Sequence, residues 1–420
     1  MNVLFLSALD FKKKSIQVLV RTPEAYVRRG WQVTYIVGRD TSRRSDYFYE
    51  PVFNPEGVGV QRFQWPLRWL REHSNGFLLN VWSKLTALCV VVILAWKALR
   101  EVRRSGPYDV VYGYECQGAL AAALIRATLH LTSRKSRPKF VSRFQGTKLA
   151  EATKHRQWLR LAANLDFLAA YWLPFDACIM TNDGTQGRRV LKSVGARTAN
   201  VLYYVNGTDP IINERPEQPD WQALGVSSDD LVLLCVSRLV SWKRLDRSLR
   251  TCARIVETAP TIGQKRAVKL VVIGDGDRRE QYEELANELG LAGYVVFTGA
   301  VEHCKLNAYY QRADAFFSFY DLSNVGNPLL EAIRHHKVIF TLRNGDTHQW
   351  IRHRESGFLF EPQDELLPAE VAAAFWELVE HPELRVRILA GVRELERRKL
   401  WTWTERMDTE IDAIEALHAA

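Results

Sequence analysis

The chain has 420 residues, 47% apolar and 25% charged, which suits two or three soluble domains and excludes a chain too short or too polar to bury a core. Its six cysteines, Cys89, Cys116, Cys178, Cys235, Cys252 and Cys304, form no Cys-x-x-Cys pair, so a zinc or thioredoxin-like site has no support and a reducing, cytoplasmic setting is expected. Residues 1–205 hold 31 Lys and Arg against 14 Asp and Glu, a formal +17, while the remainder carries −8; a basic half points to an anionic partner, with membrane surface, lipid phosphate and nucleic acid as candidates.

Met1–Ser7 is short and lacks the basic start of a signal peptide, so Val3–Ser7 is expected as a first strand. The following loop carries Lys12, Lys13 and Lys14, which either meet phosphate or simply open a solvated helix. Ile16, Leu19, Val20 and Val27 recur at helical spacing, with Pro23 inside the helix and Gly30 at its end. Gln32–Val37 alternates as a second strand. Strand, loop, helix and strand open a doubly wound sheet. No Gly-x-Gly-x-x-Gly stands here, so a dinucleotide fingerprint is absent.

Residues 39–76 read as irregular, with Arg43, Arg44, Tyr47, Phe48, Tyr49, Trp65, Trp69 and Arg71 interleaving charge and aromatic rings. Such a segment can stack sugars, lie at a membrane interface, bind single-stranded nucleic acid or pack on the core. Leu85–Trp96 is uncharged but shorter than the roughly 20 residues of a membrane span, and is expected as a buried helix of the sheet. Asp109–Tyr112, Lys139–Phe144, Ala177–Thr181 and Val201–Val205 read as strands, separated by helices over Gly118–Leu131 and around Arg188–Val194. Lys154, Arg156, Trp158 and Arg160 lead into Leu161–Trp172; this basic-aromatic stretch reads as one amphipathic helix, lying either on a membrane or on the protein surface.

The segment from Asn206 to Ser228 is rich in Pro, Glu and Asp and reads as a linker. A second series of elements then begins. Leu231–Val236 is a continuous apolar strand of the kind buried on both faces. It runs into Ser237-Arg238-Leu239-Val240-Ser241-Trp242-Lys243, and Leu245, Leu249, Cys252, Ala253 and Val256 mark the next helix. Two cations before a helix N-terminus make an anion site, because the dipole and the free N–H groups act in the same direction. Leu270–Ile273 leads into Gly274-Asp275-Gly276-Asp277, and Val295–Thr298 into Gly299. Ala313–Phe319 reads as a buried strand. After it come Tyr320-Asp321-Leu322-Ser323-Asn324-Val325-Gly326-Asn327-Pro328 and a helix whose first turn contains Glu331. Pro328 suits a first helical turn. Val338–Leu342 is a further strand, and a last helix begins near Trp403 with Thr402 or Thr404 as its cap.

These segments resemble, in order, the motifs of the retaining glycosyltransferases of family 4 (glycosyl transferases group 1). Asn206-Gly207-Thr208-Asp209 is similar to the turn that opens that family's interdomain region. Ser237-Arg238-Leu239 with Lys243 resembles its diphosphate loop, with Ser237 in place of Gly. Ser323–Glu331 resembles its sugar-nucleotide loop, in which two Glu residues are separated by seven. Glu331 matches the second Glu, which in the family holds the ribose. The first Glu, which contacts the transferred sugar, falls on Ser323, and Asp321 is the nearby carboxylate that can compensate. Gly274 to Asp277, the strand ending at Thr298 and Glu355–Pro362 are similar to further loops of the second sheet. The family's paired glycines in the first loop are missing, and Arg143, Phe144 and Gln145 stand where a His often follows the strand.

The resemblance implies an α/β GT-B fold: two doubly wound Rossmann-like domains facing a cleft, the first over residues 1–205 and the second over 206–401, with a C-terminal helix (402–420) crossing back to the first. It implies transfer of a sugar from an NDP-sugar to the hydroxyl of a glycan or lipid-linked acceptor, with no metal and no other cofactor. Arg238 and Lys243 would stabilise the leaving diphosphate. Glu331, Gly326, Asn327, Asn324, Ser323, Gly274, Gly276 and Thr298 would surround the nucleotide sugar. The basic half would meet an anionic membrane surface, peripherally and from the cytoplasm, and nucleic acid is not the expected partner. A sugar-nucleotide epimerase of the same fold and a catalytically impaired relative are the alternatives.

Overall fold

The computed structural model describes residues 1–12, 17–42, 50–132, 138–211, 217–260 and 263–419. Lys13, Lys14, Arg43, Arg44, Tyr47, Phe48 and Tyr49 lie outside them. The chain divides into one compact unit of Met1–Asn182, Gln186–Tyr204 and Trp403–Ala420, and a second of Asp183–Thr185 and Val205–Thr402.

The first unit holds strands β1 (Asn2–Ser7), β2 (Gln32–Arg39), β3 (Val58–Gln64), β4 (Val110–Tyr114), β5 (Lys139–Phe144), β6 (Ala177–Thr181) and β7 (Val201–Tyr204). They form one parallel sheet in the order β3-β2-β1-β4-β5-β6-β7. Side chains alternate between its faces, as the strand period requires. Leu4, Leu6 and Val111 pack with buried residues of helices Gly76–Ser105 and Glu115–Thr132. Val3, Phe5 and Tyr112 pack with those of helices Gln17–Arg28 and Trp403–Ala419. The C-terminal helix is also held by charge. Glu410 accepts hydrogen bonds from Arg143 Nη1 (2.8 Å), Arg406 Nη1 (2.6 Å) and the Tyr112 hydroxyl (2.7 Å). The side chains of this Arg–Glu–Arg group are fully buried. Arg143 therefore points into the core.

Three expectations for this half are corrected. Residues 39–76 contain β3 and a short helix, Arg68–Glu72. Among the described residues β3 pairs only with β2, as an edge strand, and it has mostly half-buried side chains, so it lacks the apolar run that marks a central strand. The stretch 154–172 is not one helix but parts of three, Ala150–Lys154, Trp158–Ala162 and Leu165–Trp172. Leu85–Trp96 lies within the 30-residue helix Gly76–Ser105 and is buried on one side only. Val90, Val91, Leu94 and Ala95 enter the core, whereas Leu88, Val92 and Trp96 are 59%, 54% and 56% exposed. Leu78, Val81 and Leu85 extend that exposed stripe toward the helix N-terminus. By length and composition, Leu78–Ser105 could cross a membrane.

The second unit holds β8 (Leu231–Val236), β9 (Val268–Ile273), β10 (Val295–Gly299), β11 (Ala315–Ser318), β12 (Val338–Leu342) and β13 (Phe358–Phe360). This sheet too is parallel, in the order β10-β9-β8-β11-β12-β13. Sequence order reverses between β8 and β11. In an open α/β sheet the chains leaving two such strands diverge to opposite faces, which opens a crevice at their carboxyl ends.

Candidate functional site

The two loops that leave this switch point are the ones singled out from the sequence. Val236 ends β8, and Arg238 and Lys243 follow it; Ser318 ends β11, and residues 319–327 follow it. Backbone bonds join the loops, since Asp321 N donates to Trp242 O at 3.0 Å. The pairing of β8 with β11 thus brings together residues about 80 positions apart.

Lys243 ends a short 3-10 turn, and its side chain is buried. Its ammonium lies 3.8 Å from the ring centroid of Tyr320 and 4.5 Å from that of Trp242. The Arg238 guanidinium lies 5.7 Å from the Trp242 ring. Aromatic faces stabilise a cation without neutralising it. Burial, and after it the charge of Arg238, pull the Lys243 amine down to about 7, while Asp183 acts in the opposite direction. A buried amine of this kind gains most from an incoming anion.

The Arg238 loop rests on the Gly274–Gly276 turn. Ser237 N donates to Ile273 O (3.0 Å) and Leu239 N to Asp275 O (2.9 Å). A Cβ on Gly274 would lie 1.8 Å from Ser237 O, and one on Gly276 2.3 Å from Leu239 O. Glycine is required at both positions because two backbones touch there. Thr298 is farther out, on edge strand β10, and its hydroxyl donates to Gly299 O at 2.9 Å.

On the other side, helix Asn327–Arg334 begins at Gly326 with Pro328 in its first turn. Asn327 Oδ1 accepts from Asn206 Nδ2 at 2.7 Å, which ties the helix start to the Asn206-Gly207 turn. The Asn324 side chain serves the loop itself, bonding Tyr320 O (2.7 Å) and Asn344 Oδ1 (2.6 Å). Glu331 is largely buried; its oxygens lie 2.9 Å from His303 Nε2 and 3.1 Å from the Tyr310 hydroxyl. These partners orient the Glu331 carboxylate, a group that accepts hydrogen bonds from hydroxyls.

Asp321 does not supply the carboxylate expected near Ser323. It pairs with Arg247 Nη1 at 2.7 Å and lies 3.5 Å from Arg244 Nη1. The carboxylate that reaches Ser323 is Asp183, in the segment after β6: Ser323 Oγ donates to Asp183 Oδ2 at 2.7 Å. Sequence reasoning missed Asp183, His303 and Tyr310. Each is at least 20 residues from the position it serves, and no local pattern marks them. A groove of about 770 Å³ along helix Leu245–Thr258, lined by Arg244, Arg250, Arg254 and Asp364, includes none of the sequence-predicted site residues. Among the described residues, no group of three or more His, Cys, Asp or Glu is arranged to hold a metal ion.

The site therefore combines two cations, a helix N-terminus and an oriented carboxylate at the switch point of a parallel sheet.

Residues 217–394 match the family model of the glycosyl transferases group 1.

That segment contains every sequence-predicted site residue. Over 318 residues the chain is 26% identical to the D-inositol 3-phosphate glycosyltransferase of Acidothermus cellulolyticus, covering 72% of this chain and 66% of that one. Over 179 residues it is 27% identical to the GDP-mannose-dependent alpha-(1-6)-phosphatidylinositol monomannoside mannosyltransferase of Mycobacterium tuberculosis, covering 41% and 44%. The match thus spans less than two thirds of either relative. Among solved structures, sucrose-phosphate synthase of Thermosynechococcus elongatus superposes with a TM-score of 0.74 at 17% identity, covering 100% of this chain and 99% of that one. At that identity the likeness shows the fold, which is GT-B. The family match and these relatives make residues 217–394 similar to the group 1 glycosyltransferases.

Proposed function

We propose that this protein is a retaining, family 4 glycosyltransferase that moves a hexose from an NDP-sugar to a hydroxyl of a lipid-linked acceptor. The observation that carries the reading is the placement of buried Lys243 and half-buried Arg238 across the β8–β11 switch point from the helix start and Glu331. The diphosphate would sit against the two cations, and the ribose hydroxyls would donate to Glu331. As the bond from the anomeric carbon to the phosphate oxygen breaks, negative charge builds on that oxygen. Fixed cations there are worth more than in water because they need no reorganisation. The same oxygen takes the acceptor's proton as the new bond forms on the same face, so no metal is needed. The lipid part of the reading rests on the exposed stripe from Leu78 to Trp96, with exposed Trp158, Leu159 and Trp172 in the same unit, and on the +17 charge of residues 1–205. Work at the cytoplasmic face of a membrane follows from it.

A donor panel tests the proposal. UDP- and GDP-linked glucose, mannose, galactose and N-acetylglucosamine are incubated with the protein, with and without lipid extract, and nucleotide release is measured. One donor should be turned over, and Arg238→Ala should slow that turnover at least a hundredfold. Binding of a donor without hydrolysis or transfer under any condition would reduce the protein to an impaired relative.

A further inference from the structure

We propose that Asp183 is the carboxylate that reads the transferred sugar in this site, in the place that Ser323 leaves without one. The inference rests on the nucleotide-sugar reading and names a specificity-determining residue within it.

Four observations carry it. First, Asp183 is held from several directions. Its Oδ1 accepts from Thr185 Oγ1 (2.6 Å) and Thr185 N (3.2 Å), its Oδ2 accepts from Ser323 Oγ (2.7 Å), and its backbone oxygen accepts from Val325 N (2.9 Å). Second, the backbone at Gly184 touches both neighbouring loops. A Cβ on Gly184 would lie 3.1 Å from Val325 N in the Ser323 loop, a Cβ on Gly345 in the loop after β12 would lie 2.0 Å from Gly184 O, and both glycines have positive φ. Ser323 also sits at φ 58°, a conformation that costs free energy for a residue with a side chain and recurs at functional sites. Third, Asp183 as a residue is only half-buried, and of about four acceptor positions on its carboxylate three are taken. Fourth, it belongs to the cationic site. Desolvation raises the Asp183 carboxyl, its hydrogen bonds and the charge of Lys243 lower it, and Asp183 in turn supports the charged form of Lys243. An oriented acceptor beside the phosphate-binding cations is what a sugar hydroxyl needs.

Asp183→Asn tests the charge without dismantling the loop. Asparagine can still accept from Thr185 and donate to the Ser323 oxygen, so only the carboxylate is lost. Wild type, Asp183→Asn, Ser323→Glu and the double variant are titrated with UDP, GDP, UDP-glucose and GDP-mannose, and turnover of the preferred donor is followed. Asp183→Asn should bind the free nucleotide within about threefold of wild type yet lose tenfold or more in sugar-nucleotide affinity or turnover. Ser323→Glu alone should also fail, because it sets two carboxylates against each other. The double variant should recover, because it moves the one carboxylate to the other loop. If Asp183→Asn handles the sugar nucleotide as wild type does, or loses nucleotide and sugar nucleotide equally, or if the double variant is no better than either single one, the assignment is wrong while the nucleotide-sugar reading stands. A wild-type protein that binds none of the four compounds overturns both.

Discussion

Lys243→Met removes the charge from the candidate site and keeps an unbranched apolar chain between Trp242 and Tyr320. In the folded protein the amine is lowered from 10.5 to about 7, mainly by burial. At 1.36 kcal/mol per tenfold, the protonated form carries a penalty on the order of 5 kcal/mol. The unfolded chain holds its proton up to about 10.5 and the folded one only to about 7. Between those values the unfolded state binds more protons, so stability rises with pH across this window, and below it the full penalty is present. The variant has no such penalty. It should be more stable than wild type at pH 6, by about 2 kcal/mol or more after relaxation around the site, and should lack the rise from pH 7 to 10. A diphosphate reverses the effect in wild type by favouring the ammonium. At pH 8 about nine tenths of the free amine is neutral, so nucleotide binding should take up close to one proton. Denaturant unfolding at pH 6 and 9, and titration calorimetry with UDP or GDP in two buffers of different ionisation enthalpy, measure both effects. Parallel stability curves for the two proteins would refute the burial argument. A buffer-independent binding heat in wild type would refute the placement of the diphosphate on Lys243.

Glu410→Gln should destabilise the first unit by about 3–5 kcal/mol, because Arg143 and Arg406 remain buried without a counter-charge; a drop of roughly 10 °C in thermal melting is expected, and a midpoint within 2 °C of wild type would contradict it. For the membrane reading, the protein should sediment with anionic phosphatidylglycerol vesicles, weakly with neutral phosphatidylcholine ones, and less as salt shortens the roughly 8 Å screening length. Leu88→Glu with Trp96→Glu should abolish sedimentation, whereas Lys154→Gln, Arg156→Gln and Arg160→Gln should only weaken it. Unchanged sedimentation of the Leu88/Trp96 variant would remove the stripe as the contact.

Apolar period and turn chemistry determined much of this protein without any tertiary information. Leu231–Val236, Lys139–Phe144, Ala177–Thr181 and Val338–Leu342 are strands over the very residues the sequence marks; the clearest, Leu231–Val236, is a continuous apolar run, as a strand covered on both faces favours. Pro328 after Gly326 located a helix start for an equally local reason. Edge strand β3 escaped because Val-Gly-Val-Gln-Arg-Phe-Gln has neither the apolar run of a central strand nor a sustained apolar–polar alternation. The exposed face of the Gly76–Ser105 helix escaped because composition cannot tell an apolar residue that meets a sheet from one that meets solvent. Arg238, Lys243 and Glu331 were legible as chemistry on short segments. That their loops leave neighbouring strands was decided by sheet order, which reverses between β8 and β11. The carboxylate beside Ser323 was the hardest to foresee. Asp321, two residues away along the chain, is held by Arg247, whereas Asp183, 140 residues away, lies within hydrogen-bonding distance. Short-range sequence rules describe what the backbone does over a few residues; which distant side chain arrives at a site depends on how the strands pair and on where glycine lets two loops touch.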